Sequence, residues 1–436
     1  MKRASGGHES EKRPGSAAPP ATPAERVPVP SRRPEPDWLE GGITAVPGIF
    51  AAGLCCGIKP PPPARDLALV YSSVPATAAG VFTTNRIQGA PVKVSRERLA
   101  GGVAQAIVAS SGCSNVATGE QGLKDAREMT EMVAQHLRIP EARVLVASTG
   151  VIGRYLPMDR IRPALPKLVK ALSPQGSRHA AEGILTTDTH PKEAALRVDI
   201  GGRRVTIGAI SKGTGMIHPM MATMFCFVAT DLAVEREALQ AAIRRAVTGS
   251  FNRISVDGDQ STSDTVIILA NGLAENRPLR RGDRRLRAFQ QALDALTERL
   301  ALMQVKDGEG ATMVIEIQMR GAKTRRDALA AARAVANSNL FKTAMAGRDP
   351  NWGRIMAAIG ASGAAVQEDK IGIWYGDEQV AAGGRPKDDV RWERVKAVLA
   401  QPTVTVTVDL GVGSASDRMW TCDLTQDYVK INTGTS

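Results

Sequence analysis

The chain has 436 residues, of which 43% are hydrophobic and 4% aromatic, and it carries a formal net charge of +12. This length allows two or three domains, and the apolar and charged fractions are typical of a globular protein. No apolar run in the sequence is long enough to cross a bilayer, and the N-terminus lacks the apolar segment of a secretory signal, so we predict no membrane partner.

The basic residues do not form a pattern that is typical of nucleic-acid binding. Arginines gather between Arg277 and Arg287 without interleaved aromatic residues or a known binding motif. We interpret this segment as the solvated entry of a helix and predict no nucleic-acid partner. A generally positive field would instead favour small anionic substrates.

The cysteines and the acidic loops predict neither disulfides nor a metal. The five cysteines are odd in number and show no C-x-x-C spacing, which fits a reduced, cytoplasmic setting. The segment from Asp257 begins like a calcium loop, but Thr262 stands where glycine is required and Ile268 where a bidentate glutamate is required. We therefore expect no metal ion.

In chain order, residues 1–40 lack hydrophobic periodicity and predict a disordered tail. Strands are predicted at Leu67–Ser72, Ala79–Thr83, Ala104–Ser110, Arg143–Ala147, Ala195–Ile200, Arg204–Ile210, Thr265–Ala270, Met313–Met319 and Val404–Val408, and helices at Glu120–Leu137, Met158–Leu172, Arg236–Val247, 286–303 and Thr324–Ser338. The end of the chain is expected to be rich in strands. Strands in antiparallel-looking succession, mixed with helices, indicate α+β layers rather than a doubly wound sheet.

The stretch from Ser211 to Phe227 combines a glycine-rich loop with an apolar run that contains one hydroxyl group, on Thr223. A hydroxyl in a run that would otherwise form a buried strand needs a hydrogen-bond partner or a function. One interpretation is a core strand with a satisfied threonine. The other is that the chain cuts itself between Ala222 and Thr223, so that the new α-amine activates the Thr223 hydroxyl as a nucleophile.

A second motif, S-T-G-V-I-G at 148–153, follows a predicted strand. Unpaired N–H groups at such a turn could form an oxyanion hole at Thr149 and Gly150, although a lone motif of this kind is also typical of an ordinary turn. His218 precedes Thr223 by five residues and is either a base or a turn histidine. An N-terminal amine makes a separate base unnecessary, because its ordinary pKa of ~7.7–8.0 suits proton transfer near neutral pH.

Further motifs occur in order from about residue 42 to the C-terminus. They are V-F-T-T-N-R at 81–86, T-G-E-Q-G at 118–122, T-T-D-T-H-P-K at 186–192, S-F-N-R-I-S-V-D-G-D-Q-S-T-S-D-T at 250–265, D-G-E-G-A-T at 307–312, A-G-R-D-P-N-W-G-R-I at 346–355 and Y-V-K-I-N at 428–432. Together with the two motifs above, they resemble the ornithine acetyltransferase (glutamate N-acetyltransferase) family of arginine biosynthesis.

The resemblance implies a self-processing enzyme. The precursor would be cut between Ala222 and Thr223 into an α chain of residues 1–222 and a β chain of residues 223–436, which assemble as α2β2. Thr223 would take the acetyl group from N2-acetyl-L-ornithine and pass it to L-glutamate, while Thr149 and Gly150 stabilise the oxyanion. No cofactor is expected, and the sequence leaves open whether acetyl-CoA is a further donor.

The resemblance also implies an architecture and a set of binding residues. The fold would be a layered α/β sandwich of the N-terminal-nucleophile-like aminopeptidase or ornithine acetyltransferase type, with a nucleophile-bearing domain at 41–305 and a smaller C-terminal α/β domain at 306–436. Lys212 would pair with a substrate carboxylate and Glu309 with an ammonium group. The implied substrate-binding residues are Thr186, Lys212, Thr223, Glu309, Asn432 and Ser436.

The chain departs from the family pattern in three places. Residues 109–115 read A-S-S-G-C-S-N, Met220 stands where the family commonly has asparagine, and the C-terminus is short, so that either Thr435 or Ser436 could be the terminal ligand; we assign Ser436. One alternative is an amidase or aminopeptidase of the same fold, in which water replaces glutamate. The other is an uncleaved binding protein, against which the intact A-T-M and S-T-G motifs argue.

Overall fold

Two β-sheets, each covered by helices, make up the part of the chain that the computed structural model describes, residues 36–62, 64–218 and 224–433. The strands are β1 Asp37–Leu39, β2 Ile49–Leu54, β3 Leu67–Phe82, β4 Val103–Cys113, β5 Val144–Val151, β6 Lys192–Asp199, β7 Arg204–Lys212, β8 Phe225–Thr230, β9 Thr265–Ala270, β10 Val314–Ala322, β11 Gly372–Tyr375, β12 Glu378–Ala382, β13 Arg385–Pro386, β14 Thr403–Asp409 and β15 Ala415–Cys422. The helices are α1 Ala90–Leu99, α2 Gly119–Leu137, α3 Met158–Lys170, α4 Ser177–Gly183, α5 Arg236–Gly249, α6 Leu286–Lys306, α7 Arg325–Ala336, α8 Asn339–Ala346, α9 Trp352–Gly360, α10 Trp392–Leu399 and α11 Gln426–Asn432. None of the helices among these residues is long and apolar enough to span a membrane.

The first sheet has nine strands in the order β1-β6-β7-β8-β9-β3-β4-β5, with β2 also paired to β3. Strand β3 joins its two halves, because β2 and β4 pair with the first part of β3 and β9 pairs with the second part. The prediction of two separate strands here is wrong. One strand runs from Leu67 to Phe82 and passes through Pro75. Its pairing with β4 is irregular between Tyr71 and Ala76, and a proline is tolerated at such a point.

The two halves of this sheet face each other and carry helices on their outer faces. Phe225 of β8 and Ile107 of β4 lie in one central core. Successive strand residues point to opposite faces, so Val228 of β8 packs in the core under α5 and α6, and Val108 of β4 packs in the core under α1, α2 and α3. The result is a helix–sheet–sheet–helix arrangement, which confirms the predicted layered α+β fold class.

The long helices follow the apolar spacing that predicted them. In α2, Ala126, Met129 and Val133 recur at three-to-four-residue intervals and are fully buried against the first sheet. In α6, Phe289 and Leu293 begin the same kind of stripe on the opposite outer face. The predicted helices at Glu120–Leu137 and 286–303 are therefore confirmed.

The second sheet has six strands in the order β13-β12-β11-β14-β10-β15 and packs against α7, α9 and α10. The alternation in Val404–Val408 buries its valines in this core. The expected strand-rich end is followed by helix α11, whose first turn is capped by the Thr425 side chain. Contacts group the chain from Pro36 onward into one compact unit, so the division at 305/306 remains a prediction.

The predicted tail at 1–40 overlaps the described residues only at its end. There, β1 pairs with β6, and the Arg299 guanidinium lies 4.2 Å from the centre of the Trp38 ring. Residues 1–35 lie outside the described residues.

Candidate functional site

Lys212 is the last residue of β7, and only 1% of its surface is exposed. β7 lies between β6 and β8 inside the sheet, which keeps this end of the strand away from water. The Lys212 Nζ donates to Thr186 Oγ1 at 2.8 Å and to Thr149 Oγ1 at 3.5 Å. Two of the residues implied by the sequence, Thr186 and Thr149, therefore converge on a third, the buried Lys212.

Thr149 and Gly150 lie inside β5, beside Ser111 and Gly112 of the parallel strand β4. The prediction that they form a turn after the strand is wrong, because pairing with β4 continues β5 to Val151. Gly150 has a φ of +126°, a backbone conformation that disfavours any side chain. A Cβ at this position would also lie 2.3 Å from the carbonyl carbon of Gly112. Glycine is thus required at position 150 both by its backbone conformation and by the close approach of β4.

Asp188 connects the loop after α4 to the end of β7. Its Oδ1 accepts hydrogen bonds from the Gly213 backbone N–H at 2.8 Å and from Lys192 Nζ at 2.7 Å. Its Oδ2 accepts from the Thr186 backbone N–H at 3.2 Å and lies 3.9 Å from Lys212 Nζ. One carboxylate therefore contacts both Thr186 and Lys212. The sequence analysis missed Asp188, although it lies inside the motif at 186–192.

Burial and neighbouring charges act in opposite directions on this pair. Burial lowers the pKa of Lys212, and the negative charge of Asp188 opposes that effect. Burial alone would raise the pKa of Asp188, but the charges of Lys212 and Lys192, together with the hydrogen bonds to the carboxylate, hold its pKa below the ordinary value. Asp188 is consequently an ionised carboxylate at neutral pH.

Glu309 lies in the turn between α6 and β10, and Asn432 belongs to α11. The Glu309 backbone N–H donates to the Thr214 carbonyl at 2.9 Å, and Asn432 Nδ2 donates to Glu309 Oε2 at 2.7 Å. A Cβ on Gly215 would lie 2.5 Å from the Glu309 carboxyl carbon, so the carboxylate packs directly on the glycine-rich loop after Lys212. The structure thus brings the predicted residues Glu309 and Asn432 together beside that loop.

Several predicted residues lie outside the described residues. They are the nucleophile Thr223, the cleavage-site residue Ala222, the departure at Met220, and the terminal ligand Ser436 with its alternative Thr435. The chain on the C-terminal side of Thr223 is described. There, Phe225 pairs with Lys212 on the neighbouring strand.

Two aspartates that the sequence analysis missed, one of them fully buried, hold the described residues on either side of 219–223. Asp257 accepts hydrogen bonds from the backbone N–H groups of Met216 at 2.6 Å and Ile217 at 2.9 Å. Asp264 Oδ1 accepts from the Met224 N–H at 3.0 Å. Burial raises the pKa of both aspartates. Both lie in the motif at 250–265, where the sequence analysis considered Asp257 only as the start of a calcium loop.

His218, considered as a base, is half-buried beside the end of α7. Its Nδ1 lies 3.3 Å from Asn337 Nδ2, and burial lowers its pKa, so the ring is neutral at pH 7. This contact fits the interpretation as a turn histidine. Among the described residues, no group of three or more His, Cys, Asp or Glu side chains is placed to hold a metal ion.

Comparison with known proteins identifies the family. A model of the ArgJ family matches residues 50–435. The arginine biosynthesis bifunctional protein ArgJ of Symbiobacterium thermophilum is 50% identical over 399 residues, covering 91% of this chain and 98% of that protein. The protein of the same name from Caldanaerobacter subterraneus subsp. tengcongensis is 44% identical over 400 residues, covering 90% and 98%. The solved structure of the arginine biosynthesis bifunctional protein argJ from Bacillus halodurans is 39% identical, with a TM-score of 0.46, covering 48% of this chain and 98% of that one. With a family model matched over most of its length and relatives of this identity, the chain belongs to the ArgJ family.

Proposed function

We propose that this enzyme transfers the acetyl group of N2-acetyl-L-ornithine to L-glutamate, a reaction of arginine biosynthesis, through an acetyl ester on Thr223. Beyond family membership, one observation supports the proposal: Lys212 Nζ lies 2.8 Å from Thr186 Oγ1 and 3.5 Å from Thr149 Oγ1. A buried cation beside Thr149 and Gly150 can bind the carboxylate of an amino acid while these two residues stabilise charge on the acetyl oxygen.

The nucleophile would be made by self-cleavage. The Thr223 hydroxyl attacks the carbonyl carbon of Ala222, and the acyl group of Ala222 moves from the nitrogen of Thr223 to its side-chain oxygen. Hydrolysis of the resulting ester then frees the Thr223 amine. Thr223 precedes Phe225, the pairing partner of Lys212, by two residues. Two residues of chain span at most about 7 Å, and this short span supports placing the nucleophile on the same side of the site as Lys212.

The transfer itself would take two steps that share one oxyanion site. The Thr223 hydroxyl attacks the acetyl carbon and its proton passes to the Thr223 amine, which returns a proton to the departing ornithine amine. The amine of glutamate then attacks the acetyl ester and regenerates Thr223. Thr149 and Gly150 would stabilise the oxyanion in both steps. Because one amide is exchanged for another of similar energy, no cofactor is needed.

The other implied residues would select the substrate. Lys212 and Thr186 would hold the α-carboxylate, and the Glu309 carboxylate, oriented by Asn432, would hold the side-chain ammonium of ornithine. Ser436 would add a hydroxyl ligand from the C-terminus. The alternative, an amidase or aminopeptidase of the same fold, has no comparable need for a cation and a carboxylate that recognise both ends of an amino acid.

We also propose the finer features that the resemblance implied. The chains 1–222 and 223–436 would remain associated, because β7 and β8, on opposite sides of the cut, pair from Ile207–Thr230 to Lys212–Phe225. Two such pairs would form α2β2. Acetyl-CoA would serve as a second acetyl donor, since the relatives are named bifunctional. The reaction would take place in the cytoplasm, where the five free thiols of the chain would stay reduced.

The test combines a mass measurement with an assay. Intact mass spectrometry and N-terminal sequencing of the purified protein should give two chains, one of them beginning at Thr223. N-acetylornithine should then yield N-acetylglutamate only when glutamate is present, and acetyl-CoA with glutamate should yield the same product. Release of acetate at an equal rate with and without glutamate would instead establish the amidase, and a single intact chain would remove the nucleophile.

A further inference from the structure

Four alternating charges form a buried row beside the site. Lys212 Nζ lies 3.9 Å from Asp188 Oδ2, and Lys192 Nζ lies 2.7 Å from Asp188 Oδ1 and 2.5 Å from Asp307 Oδ2. The side chains of Lys192 and Asp188 are fully buried, and that of Asp307 is 4% exposed. Only Lys212, at one end of the row, has a role in the function proposed above.

Stability alone does not explain such a row. Removing two lysines and two carboxylates from water costs several kcal/mol per ion, and a buried ion pair can often be replaced by apolar side chains without loss of stability. The buried charges are therefore more informative about the site beside them than about the fold.

The row links three segments, which carry the implied binding residues Thr186, Lys212 and Glu309. Asp188 accepts hydrogen bonds from the N–H of Thr186 and the N–H of Gly213, the residue that follows Lys212. Asp307 accepts from the N–H of Thr189 at 3.1 Å and lies two residues before Glu309. The loop after α4, the end of β7 and the turn before β10 are thus joined through Asp188, Lys192 and Asp307.

We propose that Asp188 is a positioning residue for substrate recognition: it holds Lys212 as an oriented cation next to Thr186, and Lys192 and Asp307 hold Asp188 in place. This inference rests on the function proposed above, because it concerns how Lys212 binds the substrate carboxylate. Asp188 would not contact the substrate itself. It would set the charge and orientation of Lys212, which does.

The charges that face Lys212 agree with this role. Burial and the charge of Lys192 lower the pKa of Lys212, whereas Asp188, Glu309 and Asp264 oppose the decrease, Asp188 most strongly. Burial lowers the pKa of Lys59, and the charge of Lys212 lowers it further. Loss of the Asp188 charge would lower the pKa of Lys212 further, so that Lys212 would lose its proton at a lower pH.

The test is Asp188→Asn in the full chain, with KM and kcat for N-acetylornithine measured across pH. Asparagine is isosteric, and its oxygen can still accept from Gly213 and Lys192, while Lys192 keeps Asp307 as a charged partner. We expect KM to rise about tenfold at neutral pH with kcat changed less than about threefold. The pH at which KM begins to increase should fall by about one unit or more, because an opposite charge at this distance shifts a pKa by that much.

The matched control is Asp417→Asn, which removes the charge from another buried ion pair, with Arg253 at 3.0 Å in the region of the second sheet. That variant should leave KM and its pH profile as in the wild type. If Asp188→Asn is not folded or not cut, Asp307→Asn replaces it and should raise KM at least about threefold with kcat retained.

The results separate the inference from the function on which it rests. A wild-type enzyme that forms no N-acetylglutamate refutes the proposed function. If the wild type is active and Asp188→Asn has the same KM and pH profile as Asp417→Asn, the inference alone is refuted. A fall in kcat with KM unchanged also refutes it, because Asp188 would then act on the transition state rather than on recognition. If Asp307→Asn is the variant tested, wild-type kinetics in that variant would refute the inference.

Discussion

Lys212 of β7 and Thr149 of β5 lie in opposite halves of the first sheet, yet the Lys212 Nζ donates to Thr149 Oγ1 at 3.5 Å. The two halves are brought together by the central core, in which residues of β8 and β4 pack against each other. The cation proposed to bind the substrate carboxylate and the residues proposed to stabilise the oxyanion are consequently supplied by different halves, and the packing between these halves determines the distance between them.

The first prediction concerns the nucleophile. Thr223→Ala should leave one uncut chain without acetyltransferase activity, because alanine has no hydroxyl to attack the preceding carbonyl. Intact mass spectrometry and the acetyl-transfer assay measure both effects. Thr403→Ala, at an exposed strand position, is the control and should be cut normally. Cleavage that persists in Thr223→Ala would show that another group cuts the chain.

The second prediction concerns the buried cation. Lys212→Met should raise KM for N-acetylornithine about 10- to 100-fold, since a hydrogen bond to a charged group contributes about 1.5–3 kcal/mol. Steady-state kinetics check this. Lys342→Met is a matched control, because Lys342 is equally buried but donates to Thr421 Oγ1 on β15 at 2.9 Å. An unchanged KM in Lys212→Met, or an equal rise in both variants, would contradict the assignment.

The third prediction concerns Gly150 and distinguishes two reasons for the glycine, its backbone conformation and its close packing against β4. Gly150→Ala should reduce kcat more than tenfold and cost about 1–3 kcal/mol of stability, because its Cβ would clash with the Gly112 backbone. Gly153→Ala is the control: Gly153 also has a positive φ, but a Cβ there meets no atom within 4 Å. It should lose about 1 kcal/mol and retain kcat. Equal losses of kcat in both variants would point to backbone strain instead of the clash.

The fourth prediction concerns recognition of the ornithine side chain. Glu309→Gln should raise KM for N-acetylornithine about tenfold and KM for glutamate much less, because only the ornithine side chain carries an ammonium group. Both values come from two-substrate kinetics. Glu316→Gln, at a half-buried position 3.3 Å from Arg418, is the control and should change neither. A rise confined to glutamate would reverse the assigned role of Glu309.

The fifth prediction concerns Asp264, whose pKa is raised well above the ordinary 3.8 by complete burial. The folded state therefore keeps a proton that the unfolded state releases, and the resulting stabilisation is complete below pH 3.8 and is lost as pH rises through the raised pKa. Asp264→Asn has no such titration, and its side-chain oxygen can still accept from Met224. Its free energy of unfolding should exceed that of the parent by about 1–3 kcal/mol at neutral pH, with a smaller difference at about pH 5.

Denaturant unfolding in the Thr223→Ala background measures this difference on a single chain. Asp159→Asn, an exposed control, should not alter the pH dependence. Identical pH dependence in Asp264→Asn and its parent would mean that the Asp264 carboxyl titrates alike in the folded and unfolded chain.

The sequence by itself was sufficient wherever a signal is local. Apolar spacing predicted α2 and α6, because a helix with one buried face repeats every three to four residues whatever it packs against. Lys212 and Glu309 were found because short motifs carry them, and these motifs also identified the family.

Only the tertiary structure decided which of these residues meet and what holds them. Thr149, Thr186 and Lys212 belong to separate segments, and their contact depends on strand register and on the packing of the two sheet halves. Asp188 and Lys192 looked like ordinary polar loop residues, because the burial that gives a charge its significance comes from distant segments. The continuity of β3 was hidden in the same way, since a proline interrupts a strand pattern locally while pairing with neighbouring strands carries the strand through it.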